Sequence, residues 1–114
     1  MSAGQSRLEE VEFGDEEFDL VPRTDDEISE ATAEFFDRVW YTRKLVYLEN
    51  IQSGLEKAAP KEIMDGMKRG MREVEAKYGG LEKLIYDDFE WGMINGKLSA
   101  LRWVQGDEWD MLDT

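Results

Sequence analysis

The 114-residue sequence contains no cysteine, no histidine and only two prolines. The lack of cysteine excludes disulfide bonds, thiolate metal sites and cysteine nucleophiles. The lack of histidine excludes zinc-finger and HExxH motifs and every Ser-His-Asp or Cys-His catalytic group. The glycines form no GxxxxGK[ST] phosphate loop either. The sequence therefore predicts no enzyme of a familiar hydrolase type, no metal site and no cofactor.

Long apolar runs are missing as well. No stretch approaches the roughly 18 consecutive apolar residues that a membrane-spanning helix needs, and the N-terminus lacks the basic-then-apolar order of a secretory signal. With 41% hydrophobic residues, four Trp, four Tyr and five Phe, the chain can still build one hydrophobic core. We expect a single cytoplasmic domain.

Basic residues are scarce, and the acidic excess is uneven. The net charge is −13, with 27 acidic and 14 basic side chains. Residues 1–27 hold ten acids and two bases, residues 106–114 hold four acids and no base, and residues 28–105 are nearly balanced, with thirteen acids and twelve bases. This distribution predicts a basic protein partner that meets the ends of the chain, and no direct binding of nucleic acid.

The two acidic ends frame a folded middle. We predict a flexible acidic arm over residues 1–23, a helical domain over 24–106 and an acidic tail over 107–114, because no helical or strand period persists in the arm. Each end is interpreted either as a linear motif that binds a partner or as a tail that packs on its own domain. The candidate partner-binding side chains in these ends are Phe13, Phe18, Leu20, Trp109, Met111 and Leu112.

Helix start and stop signals divide the middle into three helices. Thr24 and Glu27 form a capping box, Pro60 suits the first turn of a second helix, and the glycines at 79 and 80 end it. We predict an all-α bundle of helices at 24–58, 60–78 and 87–105, with a short turn at 81–86 and antiparallel packing of neighbours. The first helix carries two adjacent apolar stripes, which make one broad apolar face. The last helix is apolar nearly all round, and this pattern predicts that it is either a central helix or an oligomer contact.

Two glycine pairs and several polar residues stand out inside the predicted helices. Glycine within a helix costs about 0.5–1 kcal/mol relative to alanine, so four such residues need a compensating role. We predict that the second and third helices cross at the glycines, within one chain or between copies. A buried polar network, or the floor of a small site, is predicted on the last helix. The glycines are Gly66, Gly70, Gly92 and Gly96, and the network residues are Asn95, Ser99 and Arg102.

Three functional hypotheses remain open. The first is a non-enzymatic accessory or regulatory subunit that binds a larger basic partner, for example in the nucleic-acid groove of another protein, through its acidic ends and an aromatic surface that includes Trp91 and Trp103. The second is a structural homo-oligomer assembled through the glycine-lined helices. The third is an enzyme with a pocket in which Asp87, Asp88 or Glu90 faces Arg102 or Lys97.

Overall fold

The computed structural model describes residues 20–109 of the chain. In this range it contains three α-helices, named here α1 (Asp25–Gln52), α2 (Lys61–Tyr78) and α3 (Asp88–Val104), and a short 3₁₀ turn at Leu81–Lys83. The all-helical prediction is confirmed. The predicted arm lies outside the described residues except for residues 20–23, which carry no regular structure and are exposed.

Local capping signals set the helix starts as predicted. The Thr24 hydroxyl accepts a hydrogen bond from the Glu27 amide at 3.1 Å, and the Glu27 carboxylate accepts one from the Thr24 amide at 2.9 Å. Asp87 and Glu90 form the same reciprocal pair at the start of α3. These caps satisfy amides that the first helical turn leaves without partners.

The first helix ends at Gln52, earlier than the predicted end at residue 58. Gly54 adopts a φ of 85°, which L-residues with side chains rarely tolerate, and it turns the chain out of the helix. The Tyr47 hydroxyl then fixes the loop, since it donates to the Lys57 carbonyl and accepts from the Ala59 amide. The alanines at 58 and 59 therefore lie in the loop, not in the helix.

The central element is α1, with α2 and α3 packed against it and almost no contact between those two. Val39 and Tyr41 are both fully buried. Because residues i and i+2 of a helix point to nearly opposite sides, these two side chains are buried on different sides of α1. Val39 meets α3, whereas Tyr41 meets α2. Of the two alternatives predicted for the last helix, the central position is wrong, because α3 covers one side of α1 and leaves its own other side exposed. The oligomer contact stays a prediction.

Both α2 and α3 run antiparallel to α1. Tyr78 bonds to Asp37 while Glu75 bonds to Tyr41, so α2 returns along α1. The opposite end of α3 reaches the first turns of α1, where Gln105 bonds to Thr32. Consequently α2 and α3 point the same way, and the prediction that these two neighbours pack antiparallel is wrong.

The hydrophobic interior consists of two small clusters on the two sides of α1. The first contains Tyr41, Met71, Val74 and Leu84, and the second contains Val39, Ile94 and Leu98. None of the polar or charged residues in the described range is buried. No helix of this range is both long and apolar enough to cross a membrane.

Arg38 ties the segment between α2 and α3 to α1. Its guanidinium donates to the Tyr86 hydroxyl at 3.1 Å and to the Lys83 carbonyl at 3.4 Å, and it lies 4.6 Å from the centre of the Tyr78 ring. Its Nε also bonds to Glu34 at 2.9 Å. One side chain thus contacts the end of α2, the 3₁₀ turn and the segment that joins this turn to α3.

We predict that Arg38→Ala lowers the free energy of unfolding by about 1.5–3 kcal/mol, because several hydrogen bonds to a charged group are lost together. Arg38→Lys should recover only a small part, since a lysine ammonium cannot reproduce the planar fork of donors. Urea unfolding followed by circular dichroism measures both variants. Full stability in the lysine variant would contradict a role that depends on the guanidinium geometry.

Candidate functional site

The described parts of the two acidic ends, residues 20–27 and 106–109, lie at one end of the molecule. Because α3 runs antiparallel to α1, its C-terminus lies beside the first turns of α1. Gln105 accepts a hydrogen bond from Thr32 at 3.0 Å and donates one to Ser29 at 3.3 Å. Asp107 lines a surface depression together with the same Ser29 and Thr32. We call this end of the molecule the acidic pole.

Exposed carboxylates dominate the pole. Two bases lie among them, and both are engaged: Arg23 is 3.9 Å from Glu27, and Arg102 is 2.8 Å from Asp107. Residues 1–19 and 110–114, which lie outside the described range, contain nine further acids and one base. The pole carboxylates of the described range are those of Asp25, Asp26, Glu27, Glu30, Asp107 and Glu108.

Two stacked tryptophans lie at the pole. The rings of Trp103 and Trp109 are 4.8 Å apart between centroids and inclined by 11°. Both rings nevertheless remain about half exposed, at 48% and 53%. Leu20, close to the start of α1 in sequence, is 88% exposed. The pole therefore combines negative charge with large apolar side chains that are accessible to a partner.

The other predicted partner-binding residues do not join this group. Trp91 is half-buried against the cluster of Val39, Ile94 and Leu98, on the side of α3 that faces α1. It lines a cleft of about 490 Å³ with Tyr47 and other residues of α1, far along α3 from Trp103. Phe13, Phe18, Met111 and Leu112 lie outside the described residues.

The predicted crossing of the glycine pairs does not occur within the chain. A Cβ atom added at Gly70 would lie 3.1 Å from the Trp40 ring, so Gly70 makes room for α1 and not for α3. A Cβ at Gly66 would meet only Arg69 of its own helix, and Cβ atoms at Gly92 and Gly96 would meet nothing within 4 Å. A crossing between copies stays a prediction.

The predicted polar network on α3 is not formed among the described residues. Asn95 donates to the Trp91 carbonyl one turn earlier at 2.8 Å, and Arg102 pairs with Asp107. Within residues 20–109 no hydrogen bond joins any two of Asn95, Ser99 and Arg102, and all three side chains are half-buried. Asn95 and Arg102 therefore bond to residues close to them in sequence and not to each other.

The outer face of α3, which points away from α1, is apolar and open. We define it as Phe89, Gly92, Met93, Gly96 and Ala100, all of which are exposed. Phe89 is 76% exposed. With Asp88 and Lys97 at its flanks, the face bounds a shallow depression of about 620 Å³. Sequence reasoning placed these residues in an all-round apolar helix but did not identify which side would stay uncovered.

The residues of the enzymatic alternative are only partly brought together: Asp88 and Lys97 line the same shallow depression, whereas Arg102 lies apart from the carboxylates. Asp87 and Glu90 are engaged in the cap of α3, whereas Arg102 lies in its last turn. Seventeen residues of α-helix span about 25 Å, so the carboxylates and Arg102 lie near opposite ends. Over residues 20–109, no group of three or more His, Cys, Asp or Glu side chains is placed to hold a metal ion.

Comparison with known proteins gives no further constraint on the site. The chain matches no protein family model, no curated protein and no solved structure at a significant level of similarity.

Proposed function

We propose that the protein is a non-enzymatic binding subunit that docks on a basic surface of a larger protein through its acidic pole. The observation that carries this proposal is the meeting of both acidic chain ends beside the exposed Trp103–Trp109 stack. Fourteen of the 27 acidic side chains lie in residues 1–27 and 106–114, and the described parts of these segments, residues 20–27 and 106–109, lie at the same end of the fold.

The two components of the pole have different physical roles. Concentrated negative charge speeds the encounter with a positive surface and selects the orientation of docking, and its effect decreases with added salt. Tryptophan rings supply affinity, because large flat side chains that enter a pocket of the partner dominate most interfaces. A pole that contains both is suited to a basic groove with an apolar pocket.

One concrete version of the partner is a protein with a groove for nucleic acid. Such grooves are lined with Lys and Arg that neutralise phosphates. Carboxylates of the pole would take the place of the phosphates, and the stacked indoles would take the place of bases. The protein would then act as a regulator that occupies the groove.

The proposal is tested by neutralising the pole. The variant carries Asp25→Asn, Asp26→Asn, Asp107→Asn and Glu108→Gln, which leaves the capping pair of Thr24 and Glu27 in place. A control with the same change in net charge replaces exposed acids far from the pole, namely Glu49, Glu62, Glu73 and Glu82 by Gln. A second variant, Trp103→Ala, removes half of the indole stack.

Each protein is co-purified from the source cells at low and high salt. We expect the unaltered chain and the control to retain a partner at low salt and to release it at high salt. At low salt the pole variant should bind that purified partner about tenfold more weakly or worse, and Trp103→Ala should also weaken binding although it leaves the net charge unchanged. Equal retention by the pole variant and the unaltered chain would contradict the proposal.

A further inference from the structure

The outer face of α3 is a second surface, and none of the pole carboxylates lines it. Within residues 20–109 nothing packs on it, since Phe89 is 76% exposed and added Cβ atoms at Gly92 and Gly96 would have open space around them. Two glycines and Ala100 recur one turn apart along its middle, with Phe89 and Met93 beside them. Small residues in such a row let a second helix approach closely.

We infer that this face binds the same face of a second copy, with the two α3 helices antiparallel about a two-fold axis. A two-fold contact uses one patch on both copies, so the patch has to complement itself in shape and charge. An axis level with the peptide bond between residues 94 and 95 places Phe89 opposite Ala100 of the second copy and Met93 opposite its Gly96. Each large side chain then lies against a small one.

The charges at the edge of the face favour the antiparallel direction. The acids Asp88 and Glu90 lie in the first turn of α3, whereas the base Lys97 lies in its second half. In an antiparallel pair the acidic end of one helix lies beside the basic half of the other. A parallel pair would place acid beside acid and base beside base, which is unfavourable.

Repulsion between the two acidic poles also favours the antiparallel orientation. Each pole lies at the C-terminal end of α3, so a parallel pair would bring two strongly negative ends together. In the antiparallel pair the two C-terminal ends of α3 are about 28 Å apart along the helix axis, given a rise of about 1.5 Å per residue. That distance exceeds the screening length of about 8 Å at physiological ionic strength. The nearly balanced charge of residues 28–105 adds no net barrier.

Sedimentation equilibrium of the full chain tests the association. We expect a monomer–dimer equilibrium across micromolar to submillimolar concentrations. Gly96→Leu should weaken dimerisation by about tenfold or more, because its side chain occupies the close-approach point. Ala76→Leu, which adds bulk at an exposed position of α2, is the matched control and should dimerise normally. A chain that stays monomeric, or a Gly96→Leu variant with unchanged dimerisation, would overturn the inference.

Single cysteines test the direction, since the chain has none of its own. Met93→Cys and Val104→Cys each place one thiol at an exposed position on the same flank of α3. The antiparallel dimer brings two thiols at position 93 together near the axis and holds those at position 104 far apart. We expect a disulfide-linked dimer from the first variant and not from the second. Equal cross-linking at position 104 would reject the antiparallel arrangement, and neither result depends on binding at the acidic pole.

Discussion

Leu98→Ala is expected to reduce the free energy of unfolding by about 2–5 kcal/mol and to detach α3 before the rest of the molecule unfolds. Leu98 is 1% exposed and belongs to a cluster of only three buried residues in the described range, with Val39 and Ile94. So small a cluster has few neighbours that can close the cavity left by the missing atoms. Native-state hydrogen exchange should show that amides of α3 lose protection while those of α2 keep theirs.

Leu84→Ala is the reciprocal variant. Leu84 is fully buried in the other cluster, between α1 and α2, and the same chemical change is made there. Amides of α2 should lose protection in this variant while those of α3 keep it. If both variants instead lowered protection uniformly along the chain, the two clusters would unfold as one cooperative unit. That result would contradict the independent unfolding of α2 and α3.

Sequence patterns predicted the helices well where the determinants are local. Thr24 with Glu27 and Asp87 with Glu90 lie within one turn of each other, so the caps can be read from four-residue strings. Pro60 and Gly79 mark their helix ends through backbone geometry alone. The end of α1 was misplaced because Gly54 is compatible with both a bend and a stop. The contacts of the Tyr47 hydroxyl with residues 57 and 59 decide between them.

The packing could not be read in the same way. The two apolar stripes of α1 were interpreted as one broad face, but α3 covers Val39 while α2 covers Tyr41 on nearly the opposite side. Apolar periodicity indicates which positions are buried, not which helix buries them. The contacts of Arg38 with Tyr86 and the Lys83 carbonyl span more than 40 positions in sequence and left no local signal.

The site depends most strongly on this long-range geometry. In a three-helix bundle with antiparallel neighbours, the first and third helices run parallel, and the two acidic chain ends would lie at opposite ends of the molecule. Here the 3₁₀ turn and the segment up to Asp87 connect α2 to an α3 that runs parallel to α2 and antiparallel to α1. The C-terminus of α3 therefore lies beside the start of α1, where Gln105 bonds to Ser29. The composition of the acidic ends was visible in the sequence, whereas their meeting was not.

Two tyrosine hydroxyls pair with carboxylates on the side of α1 that faces α2. Tyr41 is fully buried and donates to Glu75, and Tyr78 donates to Asp37 at 2.9 Å. Burial, reinforced by the carboxylate partner, raises the pKa of Tyr78 from 10 to about 12. The same causes raise the pKa of Tyr41 further above its ordinary value. The folded state therefore holds both protons more tightly than the unfolded chain does.

The contribution of these two hydroxyls to the free energy of unfolding is fully present below pH 10 and is lost as the pH rises through about 12. The cause is that the unfolded chain releases its tyrosine protons from about pH 10, whereas the folded state retains them. A two-unit shift corresponds to about 2.7 kcal/mol, which solvent screening at the half-buried Tyr78 reduces to about 1–2 kcal/mol. We expect the melting temperature to fall across this range. Tyr41→Phe with Tyr78→Phe should be less stable at neutral pH yet lose less between pH 10 and 12, so that the two curves converge. Tyr47→Phe is the control, because it removes a tyrosine hydroxyl that bonds to backbone atoms and not to a carboxylate. If the melting temperature fell with pH in parallel for the double variant and the unaltered chain, the tyrosine–carboxylate pairs would not be the cause of the alkaline transition.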